Sequence, residues 1–321
     1  MTSFALAHTN LALVKYWGKE DEKLRLPSAP SLSLTLDAFY TKTKLSLSKE
    51  DRFVLDGKEE KGKEAQRVFS YLSTLLSFFA LPPSHFFVDS QNFVPKSAGF
   101  ASSASAFCAL AAAFAKEMKL TVSKRELSIA SRLGSGSAAR SDFGGFVLWK
   151  EGRESGESFA VPIEDKPSIP ICILYLSFGA EKKKVSSTEG MRLSKSSPFF
   201  TSWRQECRKA CKEAQKAIED NSFERLWQIS ENNACQMHAL TLSSGFSFLS
   251  PHSLRALDLA KEIREEGVGC YWSCDAGSNA ALLCRKEDLS FIQKRAEKAF
   301  SGAVSCFCAS AGPGVEAWSE D

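Results

Sequence analysis

The stretch "PKSAGFASSASAF" (residues 95–107) carries a small-residue loop straight into an Ala-rich segment. As the entry to a helix over residues 103–119, it leaves free backbone N–H groups and the positive end of the helix dipole converging with the hydroxyls of Ser102 and Ser103. Such a cradle suits phosphate. It is not the lysine-bearing phosphate loop of nucleotide hydrolases, because no Gly-Lys-Ser/Thr follows the glycine. A plainer reading, a serine-capped buried helix whose alanines allow close packing, stays open on this stretch alone.

Working outward, "SLSLTL", "TKTKLSLS", "RFVLDG" and "HFFVDSQNF" alternate as strands do, while "GKEAQRVFSYLSTLLSFF" and residues 124–133 repeat at helical spacing, and "GGFVLWKEG" returns to strand. The mixture predicts an α+β class. A turn-rich "EDKPSIP" precedes the apolar strand "ICILYLSF", which sets a boundary near Lys166 to Ile169 and two domains, 1–168 and 169–321. The second half reads as two long amphipathic helices ("WRQECRKACKEAQKAIED", "FERLWQISENNACQMHAL"), a helix opened by Pro251 and closed at Gly267, the strand pair "VGCYWSC" and "NAALLC", then a last helix and strand. That order predicts an open two-layer sandwich.

With 321 residues, 44% of them apolar and a formal charge of only +3, the chain can bury large cores and carries no basic stripe for nucleic acid. The apolar run "FCALAAAFA" is about half a membrane span, and the N-terminus shows no basic leader, so neither a membrane span nor a signal peptide is expected. Ten cysteines without a CxxC pair, beside four scattered histidines, predict reduced thiols in a cytoplasmic protein rather than a zinc site or disulfide framework.

Three further stretches carry chemistry. "LVKYWGK" (residues 13–19) sets Lys15 and Lys19 around an aromatic pair at a strand end, where fixed cations suggest an anion, although a solvated edge charge is the commoner meaning. "LGSGSAARSDFGG" (residues 133–145) presents the hydroxyls of Ser135 and Ser137 with Arg140, whose planar fork fits a carboxylate or phosphate. "CDAGSN" (residues 274–279) reads as a hairpin turn, yet it also places the Asp275 carboxylate at a rigid strand end, suited to a general base.

Together these residues resemble the GHMP small-molecule kinases and, within them, the mevalonate diphosphate decarboxylases. The family's "KYWGK" stands at residues 15–19, its phosphate loop as "SQNFVPKSAGFASSAS" (90–105), its Gly-Ser-Arg element as "GSGSAARS" (134–141), its "VSSTxGM" at 185–191 and its "DAGPN" at 275–279, in the family's order. Ser278 stands in place of the family's proline, and Phe100 in place of the usual leucine. The resemblance implies a GHMP-kinase-like two-domain fold, with a ribosomal protein S5 domain 2-like N-terminal domain and a ferredoxin-like C-terminal sandwich. It also implies ATP and Mg2+ as cofactors and a homodimer.

The activity it implies is ATP-dependent decarboxylation of mevalonate 5-diphosphate, a small-molecule substrate. In that light Asp275 sits by the C3 hydroxyl with Lys15 as its cationic neighbour, Arg140 with Ser137 holds the substrate's carboxylate, and Ser135 also binds the substrate. Tyr16, Lys19, Ser187 and Thr188 grip the 5-diphosphate. Ser90, Asn92, Gly99, Ala101, Ser102 and Ser103 bind ATP, with Ser103 near Mg2+ through the phosphates. A mevalonate 3-kinase, a phosphomevalonate decarboxylase and a non-enzymatic sensor of nucleotide or isoprenoid phosphates are the alternatives.

Overall fold

The computed structural model describes residues 2–94, 102–179 and 184–320. Its first half contains β1 (Thr2–Val14), the short strands β2 (Lys19–Asp21) and β3 (Leu26–Pro27), β4 (Ser31–Ser48), β5 (Arg52–Leu55), β6 (Lys58–Glu60), helix α1 (Lys63–Phe78) and β7 (His85–Phe93). Helices α2 (Ser102–Glu117), α3 (Lys124–Gly134) and α4 (Ala138–Ser141) lead to β8 (Phe146–Trp149) and β9 (Ala160–Glu164). The second half holds β10 (Cys172–Ser177), α5 (Ser187–Ser194), α6 (Phe200–Glu219), α7 (Phe223–Ser243), α8 (Pro251–Glu265), β11 (Cys270–Cys274), β12 (Ala280–Cys284), α9 (Leu289–Ala299), β13 (Ser305–Ala309) and β14 (Glu316–Glu320).

Two sheets result. The larger runs β14-β1-β4-β7-β5-β6, with β8 and β9 joined to the free part of β4, and the smaller runs β11-β12-β10-β13, antiparallel throughout. The stretches "SLSLTL" and "TKTKLSLS", read as separate strands, form the single 18-residue β4. It stays continuous because register shifts against β1 between His8 and Asn10 let it bend without breaking. The last strand, β14, returns from the far end of the chain to pair with β1.

Helix α2 is buried on nearly every side from Ala104 to Ala115, as a helix without a polar face must be, and its alanines let it lie close against β1 and β4. Helices α6 and α7 occupy the space between the two sheets. One apolar cluster runs from Leu11, Leu13 and Leu34 of the first sheet through Cys207, Cys211, Leu226 and Met237 to Ile173, Tyr175 and Leu283 of the second. This shared core fixes how the C-terminal ends of β1 and β11 face each other.

The turn after α4 depends on glycine. Gly145 has φ +59°, and a Cβ there would lie 2.1 Å from the Glu164 carbonyl oxygen. Its own carbonyl accepts from Thr35 N at 2.9 Å, and its N–H donates to the Gly312 carbonyl at 3.1 Å. Backbone from three places therefore meets at one residue. Gly145→Ala is expected to destabilise the fold by roughly 2–3 kcal/mol in chemical denaturation, since both φ and space are wrong for a side chain; a change below about 0.5 kcal/mol would contradict this packing.

Candidate active site

A cleft of about 370 Å³ opens between the ends of the two sheets, lined by Lys15, Tyr16, Lys19, Ser102, Ser103, Ser135, Ser137, Arg140, Ser187, Thr188 and Asp275. These residues come from five separated stretches of sequence, brought together by the C-terminal end of β1, the start of α2, the 135–140 turn, the start of α5 and the β11–β12 hairpin.

Lys15 follows β1 and is only 2% exposed, while the Asp275 side chain is 47% exposed toward the cleft. Lys15 Nζ donates to Asp275 Oδ1 at 2.6 Å and to Ser273 Oγ at 2.8 Å, and its backbone N–H is held by Asn233 Oδ1 at 2.7 Å. The turn bearing Asp275 is anchored from behind. His238 Nε2 bonds the Cys274 carbonyl at 3.1 Å; a carbonyl only accepts, so Nε2 carries the proton, and burial drives this imidazole down to about 4, leaving it neutral.

Arg140 is buried on α4. Its Nε and Nη2 donate to Asn10 Oδ1 at 3.3 and 3.0 Å, and its Nη1 donates to Ser31 Oγ at 2.6 Å. Asn10 is fixed in turn through Nδ2 by Ser141 Oγ at 2.8 Å and the Ser137 carbonyl at 3.1 Å. Of the five guanidinium N–H groups, two are left uncommitted among the described residues. Burial lowers the group to about 10, partly offset by Asp275, so it stays cationic at neutral pH.

The Tyr16 hydroxyl is buried without a hydrogen-bond partner, and burial raises its pKa, so it is a neutral donor. Its ring lies 4.7 Å from that of Trp149, and Gly136 must be glycine to admit it, since a Cβ there would sit 2.6 Å from the hydroxyl. Lys19 is buried too, its pKa lowered by burial and then by Arg25. Ser186 caps α5 by accepting from Glu189 N at 3.1 Å, which turns the first residues of that helix, Ser187 and Thr188, to the cleft.

Ser103 Oγ lies 3.2 Å from Ser135 Oγ, which lies 3.4 Å from Ser137 Oγ, so the hydroxyls of two loops form one row. Beside them opens an apolar pocket of about 140 Å³ lined by Phe53, Leu55, Val68, Val88, Ser90, Asn92, Ser102 and Ser103. Ser90 Oγ is 2.9 Å from Thr43 Oγ1, and Thr41 Oγ1 donates to Asn92 Oδ1 at 2.9 Å, so these two residues belong to the smaller pocket and not to the cleft. Gly99 and Ala101 lie outside the described residues. Sequence reading missed Asn10, Arg25 and Arg67 of the cleft lining. Only Asn10 left a signal, as a polar residue inside an apolar strand.

It also missed Asp142, just beyond α4. This carboxylate is fully buried, with Oδ1 accepting from Cys108 Sγ at 3.3 Å and Ser131 Oγ at 3.1 Å, and Oδ2 without a partner. Lys124 Nζ reaches only its backbone carbonyl, at 3.2 Å.

Two family models match the chain. The diphosphomevalonate decarboxylase-like N-terminal domain covers residues 7–160, and the mevalonate 5-diphosphate decarboxylase C-terminal domain covers residues 172–314. The chain is 32% identical to the diphosphomevalonate decarboxylase of Debaryomyces hansenii, over 94% of this chain and 84% of the relative, and 34% identical to that of Saccharomyces cerevisiae, over 90% and 79%. Its fold superposes on the crystal structure of mevalonate diphosphate decarboxylase from Staphylococcus aureus with a TM-score of 0.95, at 36% identity over 99% of this chain and 98% of the other. A structure of MDDEF in complex with MVAPP, AMPPCP and magnesium gives 0.92 at 38% identity, over 100% and 99%. The α+β, two-domain GHMP-kinase-like architecture expected from the sequence is therefore the architecture of this chain.

Burial raises the Asp142 carboxyl to about 7, well above the roughly 3.9 of an unfolded chain. Between pH 4 and 7 the native state thus holds a proton that the unfolded state releases, so stability falls as pH rises through that window and the full cost is present above pH 7. Asp142→Asn should flatten that slope and raise stability at pH 8 by on the order of 2 kcal/mol, read from denaturation midpoints at pH 5 and pH 8. An unchanged slope would remove Asp142 as its source.

Proposed function

The chain belongs to the diphosphomevalonate decarboxylase family, and we infer that it converts mevalonate 5-diphosphate and ATP into isopentenyl diphosphate, ADP, phosphate and carbon dioxide. The observation that carries this reading is the opposition of two charged groups across one cleft: a carboxylate, Asp275, paired with buried Lys15, and a buried guanidinium, Arg140, with N–H groups to spare. A kinase needs the first of these. A decarboxylase needs both.

The tertiary C3 hydroxyl is a poor leaving group until it is phosphorylated. Asp275 takes its proton as the oxygen attacks the γ-phosphoryl group of ATP, and Lys15 holds Asp275 in place through a 2.6 Å bond. When the C3–O bond breaks and phosphate leaves, the electrons of the C1–C2 bond form the C2–C3 double bond and carbon dioxide departs. Asp275, still adjacent, offsets the positive charge growing at C3. Arg140, with Ser135 and Ser137, keeps the C1 carboxylate aligned for that cleavage through its spare N–H groups. Tyr16, Lys19, Ser187 and Thr188 hold the 5-diphosphate.

The Ser102 and Ser103 end of α2 receives the phosphates of ATP, and the neighbouring apolar pocket with Ser90 and Asn92 receives its base. Gly99 and Ala101 remain part of the proposed nucleotide loop. Magnesium, when bound with ATP, supplies charge neutralisation at the transferred phosphoryl group. The residues fit it as an ion carried chiefly by phosphates: Ser103 offers a hydroxyl oxygen, and no cluster of three His, Cys, Asp or Glu side chains that could hold a metal occurs among the described residues.

The reading extends to residues 1–168 as a nucleotide-binding domain and 169–321 as a second domain; the family models, which end at 160 and resume at 172, support that division. It extends also to a homodimer, carried by family resemblance, and to a cytoplasmic address, supported by ten unbridged cysteines. No helix among the described residues is long and apolar enough to cross a membrane.

Carbon dioxide release measured side by side with mevalonate, its 5-phosphate and its 5-diphosphate should favour the diphosphate, and a preference for either of the others would overturn the assignment. Arg140→Gln should lower turnover by ~100-fold or more with little change in the affinity for ATP, and Arg140→Lys should recover little, because a lysine restores charge without the two-pronged geometry. Near-normal turnover in Arg140→Gln would take Arg140 out of the site.

A further inference from the structure

Three cations line the cleft close enough to act on one another, with Glu22 of the β2–β3 hairpin partly opposing them at Lys19. They are Lys19 at the start of β2, Arg25 in the same hairpin, and Arg67 on α1, and among the described residues none of these side chains has an ion-pair or hydrogen-bond partner. Arg67 lies over the Phe107 ring at 4.5 Å. After burial, the largest influence lowering Lys19 is Arg25, with Glu22 acting the other way, and the largest lowering Arg25 is Arg67, so the three cations repel one another with only Glu22 to offset it at Lys19.

The chain goes to some trouble to keep Arg25 there. Its backbone is left-handed, φ +53°, a conformation that a long side chain rarely adopts and that persists only when its surroundings enforce it. They do. Lys19 pairs with Pro27 and Asp21 with Leu26 across the hairpin, and Leu24 N donates to Asp21 Oδ1 at 2.6 Å. The Leu24 carbonyl accepts from Nε of the fully buried Arg132 at 3.1 Å, and the same guanidinium is spread over the carbonyls of Ser155 and Ser158.

We propose that Arg25 is a specificity-determining residue that takes the terminal phosphate of the substrate's diphosphate tail, so that Lys19, Arg25 and Arg67 together select the 5-diphosphate over the 5-monophosphate. This rests on the decarboxylase reading above. Arg25 and Lys19 line the large cleft together with Tyr16, Ser187 and Thr188, the groups assigned to the tail, whereas Arg67 also lines the apolar pocket assigned to the nucleotide base, so Arg25 is set on the tail side of the boundary. The charges also match. A phosphate monoester carries about −1.5 to −2 at neutral pH, and a diphosphate roughly one charge more, which suits three cations with only Glu22 acting against them.

The test is steady-state carbon dioxide release by Arg25→Gln, Arg25→Gly and Arg25→Lys with both phosphorylated substrates, beside calorimetric binding of inorganic diphosphate and inorganic phosphate. Arg25→Gln should raise KM for the 5-diphosphate about tenfold or more, with kcat and the KM for ATP within about threefold and the 5-monophosphate's KM little changed. Arg25→Gly should lose as much although glycine suits the left-handed backbone, and Arg25→Lys should recover part. Normal kinetics in Arg25→Gly, equal losses on both substrates, or a loss confined to ATP would each overturn the proposal. Wild-type protein that binds inorganic diphosphate more tightly than phosphate, with Arg25→Gln erasing the difference, would uphold the role of Arg25 even if the wild type released no carbon dioxide; that second result would strike the decarboxylase reading alone.

Discussion

The contact between Lys15 Nζ and Asp275 Oδ1, at 2.6 Å, is the constraint on which the rest depends. An ammonium group 2% exposed is costly unless it is paired and hydrogen-bonded, and both of its partners, Asp275 and Ser273, come from the other sheet, 258 residues or more away in sequence. The pair therefore forms only when the two sheets are docked in one orientation. Helices α6 and α7 supply that orientation, since the apolar cluster they share with β1, β4 and β10 leaves little freedom for sliding, and Asn233 on α7 holds the Lys15 backbone directly. Packing sets the distance, and the distance sets the chemistry.

Charge in the cleft is distributed unevenly for a reason. Asp275 is matched by Lys15, but Arg140, Lys19, Arg25 and Arg67 face the same space with no described carboxylate paired to them. A protein that leaves several cations unpaired in a cleft stores repulsion there, which a bound polyanion would relieve. Neutral groups tune the remainder: the buried, partnerless Tyr16 hydroxyl and the row of Ser103, Ser135 and Ser137 are donors awaiting acceptors. The cost of assembling such a site falls on the scaffold, visible in the left-handed Arg25 and the crowded Gly136.

Much of this was legible in the sequence because the chemistry sits on turns with distinctive composition. The Ala-rich α2, the helix opened by Pro251 and the strand pair around Asp275 announce themselves by periodicity and punctuation, and the motif residues Lys15, Arg140 and Asp275 line one cleft. Arg67 was not legible: on an exposed helix turn it looks like any solvated arginine, and only the approach of α1 to the cleft brings it into the lining. Arg25 hid among the charges of "KEDEKLR", where nothing local reports a positive φ or a buried Arg132 gripping the preceding carbonyl. The union of two strand-like runs into β4 and the return of β14 to β1 are long-range pairings, which periodicity does not encode.

The most direct measurement of the central claim is turnover in a double-mutant cycle of Lys15→Met and Asp275→Asn. If the two side chains act as one unit, each single change should cut kcat by ~1,000-fold or more and the double mutant should fall within about tenfold of the worse single. Losses that multiply in the double mutant would show that Lys15 and Asp275 act independently, and would contradict an account in which their contact sets up the site.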